Sequence, residues 1–169
     1  MRPHIIRRGE THQGFSDDSS WARGQSWAVY GLALCYHYTH EEAILPLFER
    51  VTKYFIDHLP EDYVPYWDLI FSDGSCEPRD TSAAAIAACG ILEMEKYYHN
   101  QEFLDIAKKM MSSLSEKYTT VDYLQSNGII KDGMYSRKHG HKSECTSWGD
   151  YFYLEALMRM KKSDWKIYW

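Results

Sequence analysis

The sequence predicts an all-α chain whose helices alternate between inner and outer positions along an arc. Apolar residues recur at helical spacing in five separate stretches, with polar, glycine- and proline-bearing segments between them. The stretches differ in kind. Two of them, 19–38 and 81–98, carry small and aromatic residues where a helix built only for packing would carry Leu or Ile, whereas 101–118 is plainly amphipathic. Long connections, 59–80 and 119–144, lead into inner helices. Helical hairpins repeating at about 60 residues build a toroid or solenoid. Five helices of this order make an arc and not a closed ring.

A chain of 169 residues fits a single domain spanning 1–169, and 44% apolar content with 15% aromatic residues supplies a core. The net charge of -5 and the lack of a Lys/Arg stripe exclude a nucleic-acid footprint. No apolar run reaches membrane-spanning length, and Met1 to Arg8 has no hydrophobic signal core, so the expectation is a cytoplasmic chain with no membrane partner. Cys35, Cys76, Cys89 and Cys145 are widely spaced and include no C-x-x-C pair, which predicts buried free thiols in a reducing compartment.

Residues 1–18 read as loop, broken by Pro3, Gly9 and Gly14. A first helix follows from Ser19 to about Tyr38, with Asp17, Asp18, Ser19 and Ser20 as cap candidates. The second, 41–58, opens on Glu41 and Glu42 and shows a stripe of Leu47, Val51, Tyr54 and Phe55. The third starts at Thr81-Ser82 and runs through a block of alanines to Gly90 and about Tyr98, little bulk on any face suiting an inner helix. The fourth, 101–118, turns Phe103, Leu104, Ala107, Met110, Met111 and Leu114 inward and Lys108, Lys109, Glu116 and Lys117 outward. A short hairpin is expected around Ile129 to Tyr135, where Asp132-Gly133 is the turn signal. The last helix runs from about Thr146 to Met160.

The stretch Thr11 to Trp27 stands out. It is a polar loop entering a helix whose first turns carry Trp21, Arg23, Gln25 and Trp27, an arrangement suited to an anionic or sugar-like ligand. Arg23 and Trp27 are four apart and so share a helix face. On residue types alone they could equally form a cation-π packing pair, and Trp21 could equally belong to the core. Gln25, Trp67 and Asp68 read as structural. Histidines at 37 and 40, or at 139 and 141, lack the third and fourth partners of a metal site, so neither metal nor other cofactor is expected.

The block Trp21-Ala22-Arg23-Gly24-Gln25-Ser26-Trp27, with Thr11-His12-Gln13-Gly14 before it, resembles glycoside hydrolase family 88, the unsaturated glucuronyl hydrolases. Three more blocks carry the resemblance: Pro65 to Asp68, Arg79 to Ala87, and Trp148 to Leu157. The resemblance covers the C-terminal part of a family member, somewhat under half. It implies an incomplete (α/α)6 barrel, about half of a six-hairpin toroid. It also implies a substrate class, oligosaccharides left by polysaccharide lyases, with a C4=C5 unsaturated uronic acid at the non-reducing end. In that chemistry an aspartic acid protonates C4, water adds at C5, and the hemiketal opens. The family's catalytic aspartates lie in the absent N-terminal half, so no catalytic residue is assigned here.

What transfers is binding. Arg23 addresses the uronate carboxylate, Trp27 packs on the sugar ring, and Gln13, with Gly9 and Thr11, matches the loop over the sugar. Trp21 is expected to line the pocket. Some members carry Ser-x-x-Ser-x-Lys before the last inner helix, a pattern associated with sulfated glycosaminoglycan fragments. The run Ser136-Arg137-Lys138-His139-Gly140-His141 keeps the first serine and replaces the second serine and the lysine by histidines, with Ser136 and His139 facing the outer pocket. Family 105, acting on unsaturated rhamnogalacturonan fragments, is the nearest alternative, but tends to read Arg-Gly-Asn-Gly-Trp at 23–27. A non-catalytic helical-repeat module is the alternative of another class. A half-barrel exposes apolar flanks, so a complementary N-terminal fragment or self-association is expected, and the chain alone is expected to be inactive.

Overall fold

The computed structural model describes residues 10–162 and 164–167. Its helices are α1 (Ala22–Thr39), α2 (Ile44–Asp57), α3 (Thr81–Met94), α4 (Gln101–Lys117) and α5 (Ser147–Lys161). The described residues form no strand, only isolated bridges that stitch the connections together: Trp21 with Asp68, Tyr66 with Arg79, Thr119 with Ile130, and Gly133 with Glu144.

The order is inner, outer, inner, outer, inner. Helix α3 packs against α1 on one side and α5 on the other, while α2 covers α1 and α4 covers α3. The small side chains of α3 explain its central place, since every residue from Thr81 to Ile91 is buried. At Gly90 an added Cβ would lie 2.8 Å from both N and Cα of Tyr30 in α1, so the two backbones meet there. Backbone cannot swing aside as a side chain can. Gly90→Ala is therefore expected to force α1 and α3 apart and cost about 1–3 kcal/mol, read as a lower urea midpoint; an unchanged midpoint would show that the interface relaxes freely.

The outer helices follow ordinary rules. Asn100 caps α4 by accepting the Phe103 amide at 3.1 Å, and Thr146 caps α5 by accepting that of Gly149 at 3.2 Å. Phe103, Ala107, Met110, Met111 and Leu114 of α4 enter the core as the periodicity predicts, whereas Leu104, expected inward with them, stays half-buried on the flank.

Several expectations are corrected. None of Asp17, Asp18, Ser19 or Ser20 caps α1, which begins later, at Ala22, with no side-chain cap. The Ala22 amide instead donates to the Trp67 carbonyl at 3.0 Å, so the long connection does the capping with its backbone. In α2 the buried line is Phe48, Thr52 and Phe55; Leu47 and Tyr54 sit on the flank, exposed. No two-residue hairpin forms at Asp132-Gly133. Asp132 does turn the chain at φ 61, but Ile130 pairs upstream with Thr119 and Gly133 downstream with Glu144. All the cysteines are free, yet only Cys89 is buried; Cys35 and Cys76 are exposed because the α1 and 59–80 positions they occupy face outward.

The far ends of the inner helices are joined by buried charge. Arg159 Nε donates to Glu155 Oε1 at 2.8 Å, Arg159 also pairs with Glu93, and Tyr30 Oη donates to Glu155 Oε1 at 3.1 Å. His37 Nδ1 lies 2.8 Å from Glu93 Oε1, and Lys96 Nζ 2.8 Å from Glu93 Oε2.

Candidate functional site

The N-terminal ends of α1, α3 and α5 converge on Arg23, which is 3% exposed. Its Nη1 donates to Met134 O at 2.8 Å, to Asp80 Oδ2 at 3.1 Å and to Ser82 Oγ at 3.2 Å. Its Nη2 donates to Tyr135 O at 2.7 Å. The guanidinium carbon lies 4.7 Å from the Trp21 ring centroid and 5.1 Å from that of Trp148. Trp148 Nε1 donates to Ser82 Oγ at 3.2 Å, and Ser82 Oγ donates to Asp80 Oδ1 at 2.5 Å. One buried cation thus ties three helices and the 134–135 backbone into a single wall.

Burial raises the Asp80 carboxyl and Arg23 pulls it the other way; burial lowers the Arg23 guanidinium, with Asp80 opposing. The guanidinium keeps its proton in such surroundings and faces the Asp80 carboxyl at 3.1 Å. Asp80 is fully buried, which removes it as a proton donor to a ligand.

Two loops lean together over this wall. Gln13 Nε2 donates to Tyr135 O at 3.1 Å, and Lys138 Nζ to Thr11 O at 3.0 Å. Thr11 Oγ1 accepts the Gly14 amide at 2.9 Å, and Asp17 Oδ1 accepts the Thr11 amide at 2.9 Å, so the first loop is folded on itself. Asp68, buried, takes the Phe15 amide and the Ser19 hydroxyl on Oδ2, each at 2.8 Å. Trp67 Nε1 donates to Glu77, and Gln25 Nε2 to Val51 O at 3.0 Å, structural roles for all three as their sequence positions predict.

The structure gathers Thr11, Gln13, Trp21, Arg23, Ser136 and His139 at one end of the inner helices, with Trp27 one turn further along α1. Gly9 lies outside the described residues. The arrangement differs in detail from the expectation. Arg23 does not stack on Trp27; its aromatic partners are Trp21 and Trp148, while Trp27, 38% exposed, packs edge-on against Phe152 at 5.1 Å. The helical rotation over four residues carries Arg23 inward and leaves Trp27 on the rim. The Trp21 indole N–H is buried and has no partner among the described residues. Ser136 is buried, not facing outward, and its hydroxyl lies 2.6 Å from His139 Nδ1, so it orients the exposed imidazole.

Sequence reasoning missed His12, Tyr135 and Trp148 as site residues, and weighed His141 only as a metal ligand or as the replacement of the pattern's lysine. The His12 and His139 rings lie 4.8 Å apart, and Tyr135 sits between His141 at 4.9 Å and Trp148 at 5.8 Å. Trp148 and His12 both fall inside the blocks quoted above, which was the available signal. Among the described residues no group of His, Cys, Asp and Glu is placed to hold a metal ion. No described helix is long and apolar enough to cross a membrane.

Comparison with known proteins places this geometry. The profile of Glycosyl Hydrolase Family 88 matches residues 6–163. The unsaturated chondroitin disaccharide hydrolase of Streptococcus pneumoniae is 48% identical over 96% of this chain and 42% of its own length. The unsaturated glucuronyl hydrolase of a Bacillus species is 40% identical over 92% of this chain and 43% of its own. A crystal structure of a Streptococcus agalactiae unsaturated glucuronyl hydrolase variant, complexed with dGlcA-GalNAc6S, superposes with a TM-score of 0.89 at 46% identity, covering 96% of this chain and 45% of that one. The chain therefore spans under half the length of the relatives it matches, and the arc of inner and outer helices is the corresponding part of their (α/α)6 barrel. On the strength of the profile match and these identities, the chain belongs to glycoside hydrolase family 88, as a C-terminal portion of it.

Proposed function

We propose that residues 1–169, as one domain, form the C-terminal part of an unsaturated glucuronyl hydrolase. The substrates are lyase-generated oligosaccharides ending in a C4=C5 unsaturated uronic acid, and the reaction is hydration of that double bond. The observation that carries this reading is the convergence of the Thr11–Trp27 and Met134–His141 segments on the Arg23 wall at one open end of the arc. Trp27 and His139 present exposed faces to a sugar. Thr11, Gln13, Trp21, Arg23 and Ser136 position them. The proton donor to C4 belongs to a part of the barrel outside this chain and comes with a complementary fragment; association of copies covers the apolar flanks but brings no such donor.

The isolated chain is accordingly expected not to consume the near-ultraviolet absorbance of the C4=C5 bond. Turnover by the purified chain would overturn that expectation. It should still bind: titration calorimetry with an unsaturated uronate disaccharide is expected to show an affinity that falls about tenfold, roughly 1.4 kcal/mol, in Trp27→Ala. The thermal midpoint should be unchanged, since Trp27 is on the rim. Absence of binding by the unaltered chain would count against the reading.

A further inference from the structure

We propose that a cleft on the outer side of the Gly133–Glu144 bridge binds a neutral sugar unit. The cleft encloses about 560 Å³ and is lined by Tyr123, Leu124, Gln125, Asp132, Ser143 and Glu144 among others, a size suited to a small ligand. None of its residues belongs to the Arg23 wall. The proposal therefore stands independently of the reading above.

Three features select the ligand. The first is a platform: the Tyr123 ring is exposed, the Lys131 ammonium covers one side at 5.1 Å, and Leu124 beside it is almost wholly exposed. Apolar faces of sugar rings stack on such surfaces. The second is a pair of carboxylates, Asp132 and Glu144, whose side chains make no hydrogen bond or ion pair among the described residues. An ionised carboxylate only accepts, and sugar hydroxyls donate. The third is charge. One cation, Lys131, stands against two carboxylates, so a uronate or sulfate ester is repelled and an uncharged hexose or N-acetylhexosamine is favoured.

The walls are fixed before any ligand arrives. Thr81 at the start of α3 donates its hydroxyl to Lys131 O at 2.8 Å and its amide to Asp132 O at 3.1 Å. The Lys131 amide donates to Tyr118 O at 2.8 Å. These bonds hold Asp132 at φ 61, in the left-handed region that aspartate tolerates better than most residues with a Cβ. From Asp132 the chain continues through Gly133 and Met134 to Tyr135, so the cleft adjoins the Arg23 wall along the backbone.

The test is saturation-transfer NMR on the 169-residue chain with methyl β-galactopyranoside and N-acetylgalactosamine, and galacturonate as the charged counterpart. Both neutral sugars are expected to give saturable signals that compete with each other, while galacturonate does not displace them. Trp27→Ala should leave the signals intact, which separates this cleft from the mouth. Tyr123→Ala is expected to weaken binding about tenfold, and the pair Asp132→Asn with Glu144→Gln should weaken it independently. The proposal is overturned by any of these results: no saturable signal, equal competition by galacturonate, loss of signal in Trp27→Ala, or indifference to both the Tyr123 and the carboxamide variants.

Discussion

Arg23→Ala is expected to lower stability by about 3–5 kcal/mol, because it strands a fully buried partner charge. Asp80 would keep Ser82 and the Met134 amide but lose its one cation among the described residues, while the carbonyls of Met134 and Tyr135 would lose their shared donor. The pH dependence follows from the sign of the Asp80 shift. A carboxyl raised on folding favours the folded state below its unfolded value and loses that advantage as pH rises through its folded value. Removing Arg23 raises it further, so the variant's deficit should be smallest in acid and grow toward neutrality. Urea midpoints measured across that range read the effect directly. Saccharide binding should vanish along with the wall, whether or not Arg23 ever touches a sugar. A variant with an unchanged midpoint but no binding would instead make Arg23 a direct ligand contact. Trp27→Ala is the more discriminating substitution, since it alters the rim and leaves the wall alone.

That distinction marks where the sequence stops being informative. Helix order and the inner or outer character of each helix were legible, because periodicity and residue size report burial directly: the alanine block of α3 is buried throughout, and the Phe103–Leu114 stripe of α4 enters the core. The functional stretch was legible as a block. Its internal roles were not. A spacing of four puts Arg23 and Trp27 near one another on a helix, but which of them turns inward depends on what approaches from elsewhere. Asp80 and Ser82 lie 57 and 59 residues away, and Tyr135 lies 112 away. Nothing local to Arg23 announces them. The same holds for the cap of α1, which is a carbonyl of Trp67 and so invisible to a reading of side chains. The hairpin expectation failed for a related reason: Asp-Gly marks a change of direction, and long-range pairing with Thr119 and Glu144 decides which segments then meet.

Arg159→Ala is expected to be as damaging at the opposite end of the inner helices, about 3–5 kcal/mol, and to reverse the response to acid. Arg159 is buried between Glu93 and Glu155, with Trp165 stacked over its guanidinium at 4.3 Å. In the intact chain burial pushes the Glu93 carboxyl up, but hydrogen bonds from Lys96 and Arg159 outweigh it and leave the group below its ordinary 4.5. A carboxyl lowered on folding contributes stability above its unfolded value and loses it as pH falls through its folded value. The intact protein should therefore lose this contribution in acid. Without Arg159, among the described residues Glu155 has no cation left and Glu93 keeps Lys96 and the nearby His37. Two buried carboxylates then favour protonation, so the variant should gain stability on mild acidification where the intact chain does not. Adding Glu155→Gln to Arg159→Ala should restore part of the loss by removing the unpaired charge. Unfolding midpoints for the three proteins at several pH values decide the matter: parallel pH profiles would mean that the ion pairs linking α3 and α5 contribute packing alone.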